Sequence, residues 1–104
     1  MSNAKIEIES AHLEGHIKLH KQDTAPTEES EHALVYATED DTTFTHVFVK
    51  DSAGNETKIS PHNANGEWEY FCRNTKTGKC IRINMERMIR KLEELTGESF
   101  IEEL

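Results

Sequence analysis

Three short segments rich in β-branched and aromatic residues follow one another between residues 32 and 60, and they constrain the fold more than any other feature of this sequence. Residues 32–38 and 43–50 predict two strands joined by an acidic turn. A second turn carries Gly54, which suits a positive φ, and residues 56–60 predict a third strand. This part of the chain is therefore expected to form a three-stranded β-meander.

The second of these strands is apolar on both sides. Because successive side chains in a strand point to opposite faces, Val47 and Val49 share one face, and Phe44 and Phe48 share the other. A sheet that is apolar on both faces has to be covered on both. We therefore expect either a sandwich or burial of the sheet against neighbouring chains.

A β-hairpin is predicted next in the chain. Residues 67–73 and 79–83 flank a turn of about five residues that ends in a glycine. This loop length predicts that Cys72 lies opposite Cys80. Opposed cysteines can form a disulfide where the Cα atoms are closest, whereas two half-buried thiols are the expected state in a reducing cytosol. From the sequence, both states of the pair stay open.

An amphipathic helix is predicted over residues 85–96. Asn84 suits the N-cap position and Gly97 suits the position just after the helix. Apolar residues at spacings of three and four form one stripe, which we expect to lie in an interface: Met85, Met88, Ile89, Leu92 and Leu95. The elements together predict an α+β fold, in which a β-meander and a β-hairpin are followed by a C-terminal helix.

The chain before the meander is harder to interpret. Residues 5–31 precede the module of residues 32–104, and Met1–Ala4 has the character of an expression remnant. Apolar residues alternate with polar ones near residues 6–8 and 17–19, which predicts short strands followed by a linker. This segment either joins the sheet or forms an arm that reaches another subunit.

Composition indicates that the chain has one domain with a thin core. The sequence has 104 residues, of which 35% are hydrophobic and 31% are charged, and its net charge is −8. A core this small favours association with further copies. The acidic balance argues against nucleic acid as a partner, because phosphate contacts need clustered lysine and arginine. The sequence has no apolar run long enough to cross a membrane.

Few residues suggest chemistry. His12, His16 and His20 are spaced by four, so three copies around a threefold axis could form a metal ring, although solvent-facing histidines are the alternative. Trp68, Tyr70 and Phe44 could form a patch that stacks on a sugar, but aromatic residues in a hairpin are more often core or interface anchors. No nucleophile, phosphate-loop or metalloprotease motif is present, so we expect neither an enzyme nor a cofactor.

The order of motifs over residues 33–101 resembles the C-terminal tip region of phage tail-fibre-like proteins. The resemblance is carried by VFVKDSAGNET at 47–57, ISPHN at 59–63, GEWEYF at 66–71, RNTKTGK at 73–79, NMER at 84–87 and LTGE at 95–98. It implies an intertwined homotrimer at the end of a virion-borne or extracellular appendage, made in the host cytoplasm and able to face a host receptor. It brings no catalytic residues.

The sequence thus favours a structural, trimerising module of an appendage. The main rival is a monomeric acidic α+β adaptor that binds another protein. The mass of the particle in solution separates these two interpretations.

Overall fold

The computed structural model describes residues 6–104, so the predicted remnant at Met1–Ala4 lies outside the described residues. The described chain contains five strands and one helix, which are β1 (Leu34–Glu39), β2 (Thr45–Lys50), β3 (Asn55–Lys58), β4 (Glu69–Asn74), β5 (Cys80–Asn84) and α1 (Met85–Thr96).

The strands form one antiparallel sheet in the order β1-β2-β3-β4-β5. Each strand therefore pairs with its neighbour in sequence, as short connections favour. The tight turn between β2 and β3 needs Gly54, whose φ is 88° and whose missing Cβ would lie 3.2 Å from side-chain atoms of Thr75 and Lys76. The predicted α+β class, with a meander, a hairpin and a C-terminal helix, is confirmed.

The hydrophobic core is small and lies on one face of the sheet. Tyr36, Phe48 and Phe71 are buried side by side, with ring centroids 6.3 Å apart in each adjacent pair. The chain before β1 covers part of this face, because Ala25 packs against the rings and Lys50 Nζ donates a hydrogen bond of 2.6 Å to the Pro26 carbonyl. We call this side of the sheet the charged face, since ionic side chains surround the rings.

The pairing of β4 with β5 differs from the prediction by one residue. Cys72 pairs with Ile81, and Arg73 pairs with Cys80, so the two cysteine side chains point to opposite faces of the sheet. The predicted pairing of Cys72 with Cys80 is therefore wrong, and of the two states that the sequence left open the structure has the free thiols. The cause is Asn74, which stays in the strand while its side chain accepts hydrogen bonds from the next turn, so the loop is shorter than predicted.

The N-terminal strands predicted near residues 6–8 and 17–19 are absent from the described protomer. Residues 6–20 form no strand, and the first sheet contact is an isolated parallel bridge between Lys21 and Ala37 at the edge of β1. Gln22 N–H donates to the Ala37 carbonyl at 2.8 Å. The segment forms no strand because it has no partner strand within its own protomer, and a lone strand is not stable in water.

Helix α1 begins and ends where the sequence predicts. The Asn84 side chain accepts a hydrogen bond from Arg87 N–H, and Gly97 adopts a left-handed conformation with φ 74°. The helix follows β5 without a loop, and Met85 N–H donates to the Trp68 carbonyl at 3.0 Å. The helix buries none of its residues, so packing within one protomer contributes little to its stability.

Candidate functional site

The side of the sheet opposite the charged face carries two apolar rows that cross the strands. We call this side the open face. One row runs through directly paired residues from β1 to β5, namely Val35, Val49, Thr57, Cys72 and Ile81. The second row consists of Ala37, Val47, Ile59, Tyr70 and Ile83, in which Ala37 pairs with Val47, Ile59 N–H donates to the Val47 carbonyl, and Tyr70 pairs with Ile83.

Most of the open face is accessible to solvent. Val35 is 61% exposed and Tyr70 is 41% exposed, and among the ten residues of the two rows only Ala37 is buried. A soluble monomer rarely leaves a contiguous apolar surface of this kind uncovered, and such surfaces usually mark an interaction site. The open face is therefore the candidate functional site of the described chain.

The predicted helix stripe is also uncovered. Met88, Leu92 and Leu95 are exposed, while Met85 and Ile89 are half-buried. The C-terminal segment turns back on the helix, because Phe100 N–H and Ile101 N–H both donate to the Glu93 carboxylate. Because three of its five residues are exposed, the stripe is accessible for contact. Its role in an interface between chains stays a prediction.

The exposed area and the radius of gyration of the chain are both larger than those of a compact domain of this length. The chain exposes 8215 Å², whereas a compact monomer of 11.9 kDa exposes about 6,000 Å². Its radius of gyration is 16.7 Å, whereas a compact domain of this length has about 13 Å. The protomer therefore exposes about 2,000 Å² more than a compact fold would, and the exposed N-terminal segment of residues 6–20 contributes to this excess together with the open face.

The charged face, by contrast, is closed by paired ions. The Lys58 side chain is 0% exposed and lies between the carboxylates of Asp40 and Glu69, each 1% exposed. Lys58 Nζ donates to Asp40 at 3.0 Å, to the His62 carbonyl at 2.8 Å and to Glu69. Burial opposes ionisation of Asp40, but hydrogen bonds from Thr42 and Lys58 outweigh it and lower the pKa of Asp40 to about 2.

Two arginines complete the charged face. Arg82 binds both Glu69 and Asp41, and its guanidinium lies 4.6 Å from the centre of the Phe71 ring. Arg73 pairs with the buried Glu56 and lies 5.2 Å from the centre of the Phe48 ring. These cations neutralise the acids and also cover the three buried rings, so the aromatic core itself is closed to a partner, while Phe44, which directly precedes β2, stays exposed.

One hydrogen-bonded chain on the charged face resembles a hydrolase triad. Ser60 Oγ lies 2.7 Å from His46 Nδ1, and His46 Nε2 lies 3.5 Å from Asp40 Oδ2. The sequence did not reveal this group, because the three residues come from different elements. The Ser60 hydroxyl also accepts the Val47 N–H at 3.1 Å, in the position where a strand carbonyl would otherwise act. Its role in ending the β2–β3 pairing accounts for the arrangement.

Burial lowers the pKa of His46, and the nearby Lys58 ammonium lowers it further. The ring is therefore neutral at pH 7, in keeping with a hydrogen-bonded structural histidine.

The two glutamates that flank Trp68 are each bound by side chains of the same protomer. Glu69 binds Lys58 and Arg82, and Glu67 binds Arg87 and Asn84.

The histidines proposed as metal ligands lie in the exposed N-terminal segment. His12 Nε2 contacts the Glu14 carboxylate at 3.3 Å, and His20 Nδ1 lies 2.8 Å from the Lys21 carbonyl. Within residues 6–104, no group of three or more histidine, cysteine or acidic side chains is close enough to bind a metal ion. A ring of His12, His16 or His20 from three copies stays a prediction.

The two cysteines lie on opposite faces of the sheet, whereas Trp68 and Tyr70 share one face. Cys72 is half-buried on the open face, where the Thr57 hydroxyl lies 3.5 Å from its sulfur, and Cys80 is exposed on the charged face. By strand alternation Trp68 and Tyr70 belong to the open face, and each is 41% exposed. The aromatic pair therefore forms part of the candidate interface.

Among residues 6–104, the structure has no helix with the length and apolar character needed to cross a bilayer. Comparisons with protein-family models, curated proteins and solved structures gave no match.

Proposed function

We propose that this chain is a structural module that assembles with copies of itself, as a homotrimer at the end of a phage tail-fibre-like appendage. The observation that supports self-assembly best is the open face, where two apolar rows cross the sheet and, except for Ala37, remain at least partly accessible. The resemblance of residues 33–101 to tail-fibre tips supports the appendage, the trimer and a location on the virion.

The amount of uncovered surface fits a permanent assembly. A standard interface takes about 800 Å² from each partner, and obligate oligomers bury more. The excess of about 2,000 Å² in this protomer is shared by the N-terminal segment and the open face, and it would lie in the obligate range if copies covered both. A loosely bound adaptor would be expected to have a compact monomer with a smaller contact surface.

The distribution of charge favours further copies as the occupant of the open face. A chain with a net charge of −8 repels its own copies wherever acidic surfaces meet. Here the two rows of the open face contain no charged residue, while the ion pairs of Lys58, Arg73 and Arg82 lie on the other side. Open faces can therefore meet without bringing like charges into contact.

The mass of the purified chain tests this proposal. Three chains of 11.9 kDa give about 36 kDa, which we expect by sedimentation equilibrium at micromolar concentration. A particle of about 12 kDa would support the monomeric acidic adaptor instead and would contradict self-assembly. A dimer would leave self-assembly in place and remove the trimer.

The two cysteines report which face is covered. In the assembly we expect Cys72 on the open face to resist alkylation by iodoacetamide, while Cys80 on the charged face reacts and serves as the internal control. Val35→Asp places a charge on the open face and should expose Cys72 to the reagent. Equal reactivity of Cys72 in both proteins would show that copies associate through another surface.

A further inference from the structure

The N-terminal segment of residues 6–20, which we call the arm, carries apolar side chains that are largely exposed in the protomer. Ile6 is 81% exposed and Ile8 is 62% exposed. Farther along, Ile17 and Leu19 border a shallow groove of about 320 Å³ beside Ala37 and Val47. The C-terminal end of the arm therefore lies at the β1 edge of the sheet. The residues at its other end, Ile6 and Ile8, are exposed.

The opposite edge of the sheet is formed by β5 and has no strand beyond it among the described residues. Cys80, Ile81, Arg82 and Ile83 are all exposed. The outer N–H and C=O groups of such an edge strand can pair with another extended segment. The protomer thus has an exposed N-terminal segment outside the sheet near one edge and, among the described residues, a strand with no neighbour at the other.

The side-chain patterns of these two segments match. On β5, Ile81 and Ile83 lie on the open face and Arg82 lies between them on the charged face. The arm begins Ile6-Glu7-Ile8-Glu9, with the same alternation. As a strand beside β5 it would extend the apolar rows on the open face, and its two glutamates would lie on the charged face at the edge of the sheet.

We propose that residues 6–9 of one copy add to β5 of a neighbouring copy as a sixth strand. This inference rests on the proposed self-assembly and specifies the contact that closes it. Each copy would give an arm near its β1 edge and receive one at its β5 edge, which is a head-to-tail contact that forms a ring where the rotation between copies closes, as in the proposed trimer. With residues 6–9 in the added strand, the eleven residues 10–20 can span about 36 Å, whereas five strands are about 19 Å wide, so the arm can cross more than the width of one sheet.

Substitution of the arm tests the pairing. We expect Ile6→Asp combined with Ile8→Asp to accelerate amide hydrogen exchange in β5 and to lower the particle mass, with exchange in β2 unchanged. Leu13→Asp is the matched control, because Leu13 is an equally accessible arm residue outside the pairing segment, and it should leave both readouts as in the unaltered chain. Both substitutions alter exposed side chains, so the sheet should stay folded.

Cross-linking identifies which copy provides the arm. In a chain whose native cysteines are replaced by serine, one version carries Ile8→Cys and another carries Ile83→Cys. Mixed and oxidised, the two should form a disulfide-linked pair that neither version forms alone. Failure to cross-link, with unchanged β5 exchange in the arm variant of a particle that is still oligomeric, would overturn the arm exchange alone. A monomeric unaltered chain would overturn the proposed function and the exchange together.

Discussion

Lys58 shows how single residues hold this small fold together. Its ammonium is fully buried between two carboxylates, and its stem runs beside the Phe71 ring, with Nζ 6.0 Å from the ring centre. Taking these charges out of water costs free energy, which the close pairing and the extra hydrogen bond to the His62 carbonyl offset. Breaking the pairing on one side should therefore be far more damaging than replacing the whole cluster.

We expect Lys58→Met to lower the free energy of unfolding by about 3 to 5 kcal/mol, because the buried Asp40 loses its counter-ion and the buried Glu69 keeps only Arg82. Adding Asp40→Asn and Glu69→Gln should recover most of this loss, since no unpaired charge would remain. Lys79→Met, at an exposed turn, is the matched control and should change stability by less than about 0.5 kcal/mol. Urea denaturation measures all three proteins, and equal effects at positions 58 and 79 would contradict the buried network.

The same cluster predicts acid sensitivity. The folded-state pKa of Asp40 is about 2, below its usual value of 3.8, so the unfolded chain binds more protons as the pH falls. This contribution is complete above about pH 4 and is lost towards pH 2, with a size of about 2 kcal/mol. Asp40→Asn should flatten the fall in stability over that interval in urea titrations. An unchanged slope would show that other carboxylates cause the acid sensitivity.

At the scale of elements, the hairpin and the helix depend on asparagine side chains. Asn74 accepts hydrogen bonds from Lys76 N–H and Thr77 N–H, which shortens the loop and moves the β4–β5 pairing by one residue. Because side chains alternate along a strand, this single step places Cys72 and Cys80 on opposite faces. The turn chemistry of one residue therefore decides which side chains reach the open face.

Asn84 caps helix α1 and also donates to Glu67 at 3.2 Å. Asn84→Ala should lower the free energy of unfolding by about 1 kcal/mol and reduce helical circular dichroism, because Arg87 N–H would lose its acceptor. Asn65→Ala, in the exposed loop before β4, is the control and should have little effect. Equal melting temperatures for both variants would contradict the importance of the cap.

Leu92 lies in the centre of the apolar helix stripe and is 43% exposed. If the stripe contacts another copy, Leu92→Asp should reduce the mass from that of the oligomer to that of one chain in light scattering. Lys91→Asp, one position away on the exposed side of the helix, should leave the mass unchanged. A Leu92→Asp protein with the unaltered mass would remove the helix from the interface.

At the scale of the whole molecule, stability and assembly should be linked. The described core consists of three buried rings and one buried alanine, while two apolar rows and an apolar helix stripe remain accessible. A fold with so little burial gains stability from any partner that binds the folded state alone.

The thermal midpoint should therefore rise with protein concentration, because dissociation accompanies unfolding. We expect an increase of several degrees for a hundredfold rise in concentration, measured by circular dichroism. Val35→Asp should lower the midpoint and weaken this dependence. A midpoint that stays constant over that range would show that the protomer is stable without its copies.

Local signals in the sequence were sufficient to predict the meander, the hairpin and the helix. Gly54 supplies a positive φ, and Asn84 and Gly97 mark the two ends of the helix, so each effect acts within a few residues. The exposed helix stripe was also predictable, because helical spacing alone groups its residues on one side.

Only the tertiary structure decided which face of the sheet is closed. The alternation of side chains along a strand predicts that Phe48 and Val49 lie on opposite faces. It does not predict that Lys58 forms an ion pair with Asp40, eighteen residues away, or that such ion pairs cover one face of the sheet. The same holds for Ser60 and His46, which meet only after β2 and β3 pair. These contacts join residues that are distant in sequence, whereas periodicity reports only on neighbours. The face that remains open is the consequence of that long-range pairing.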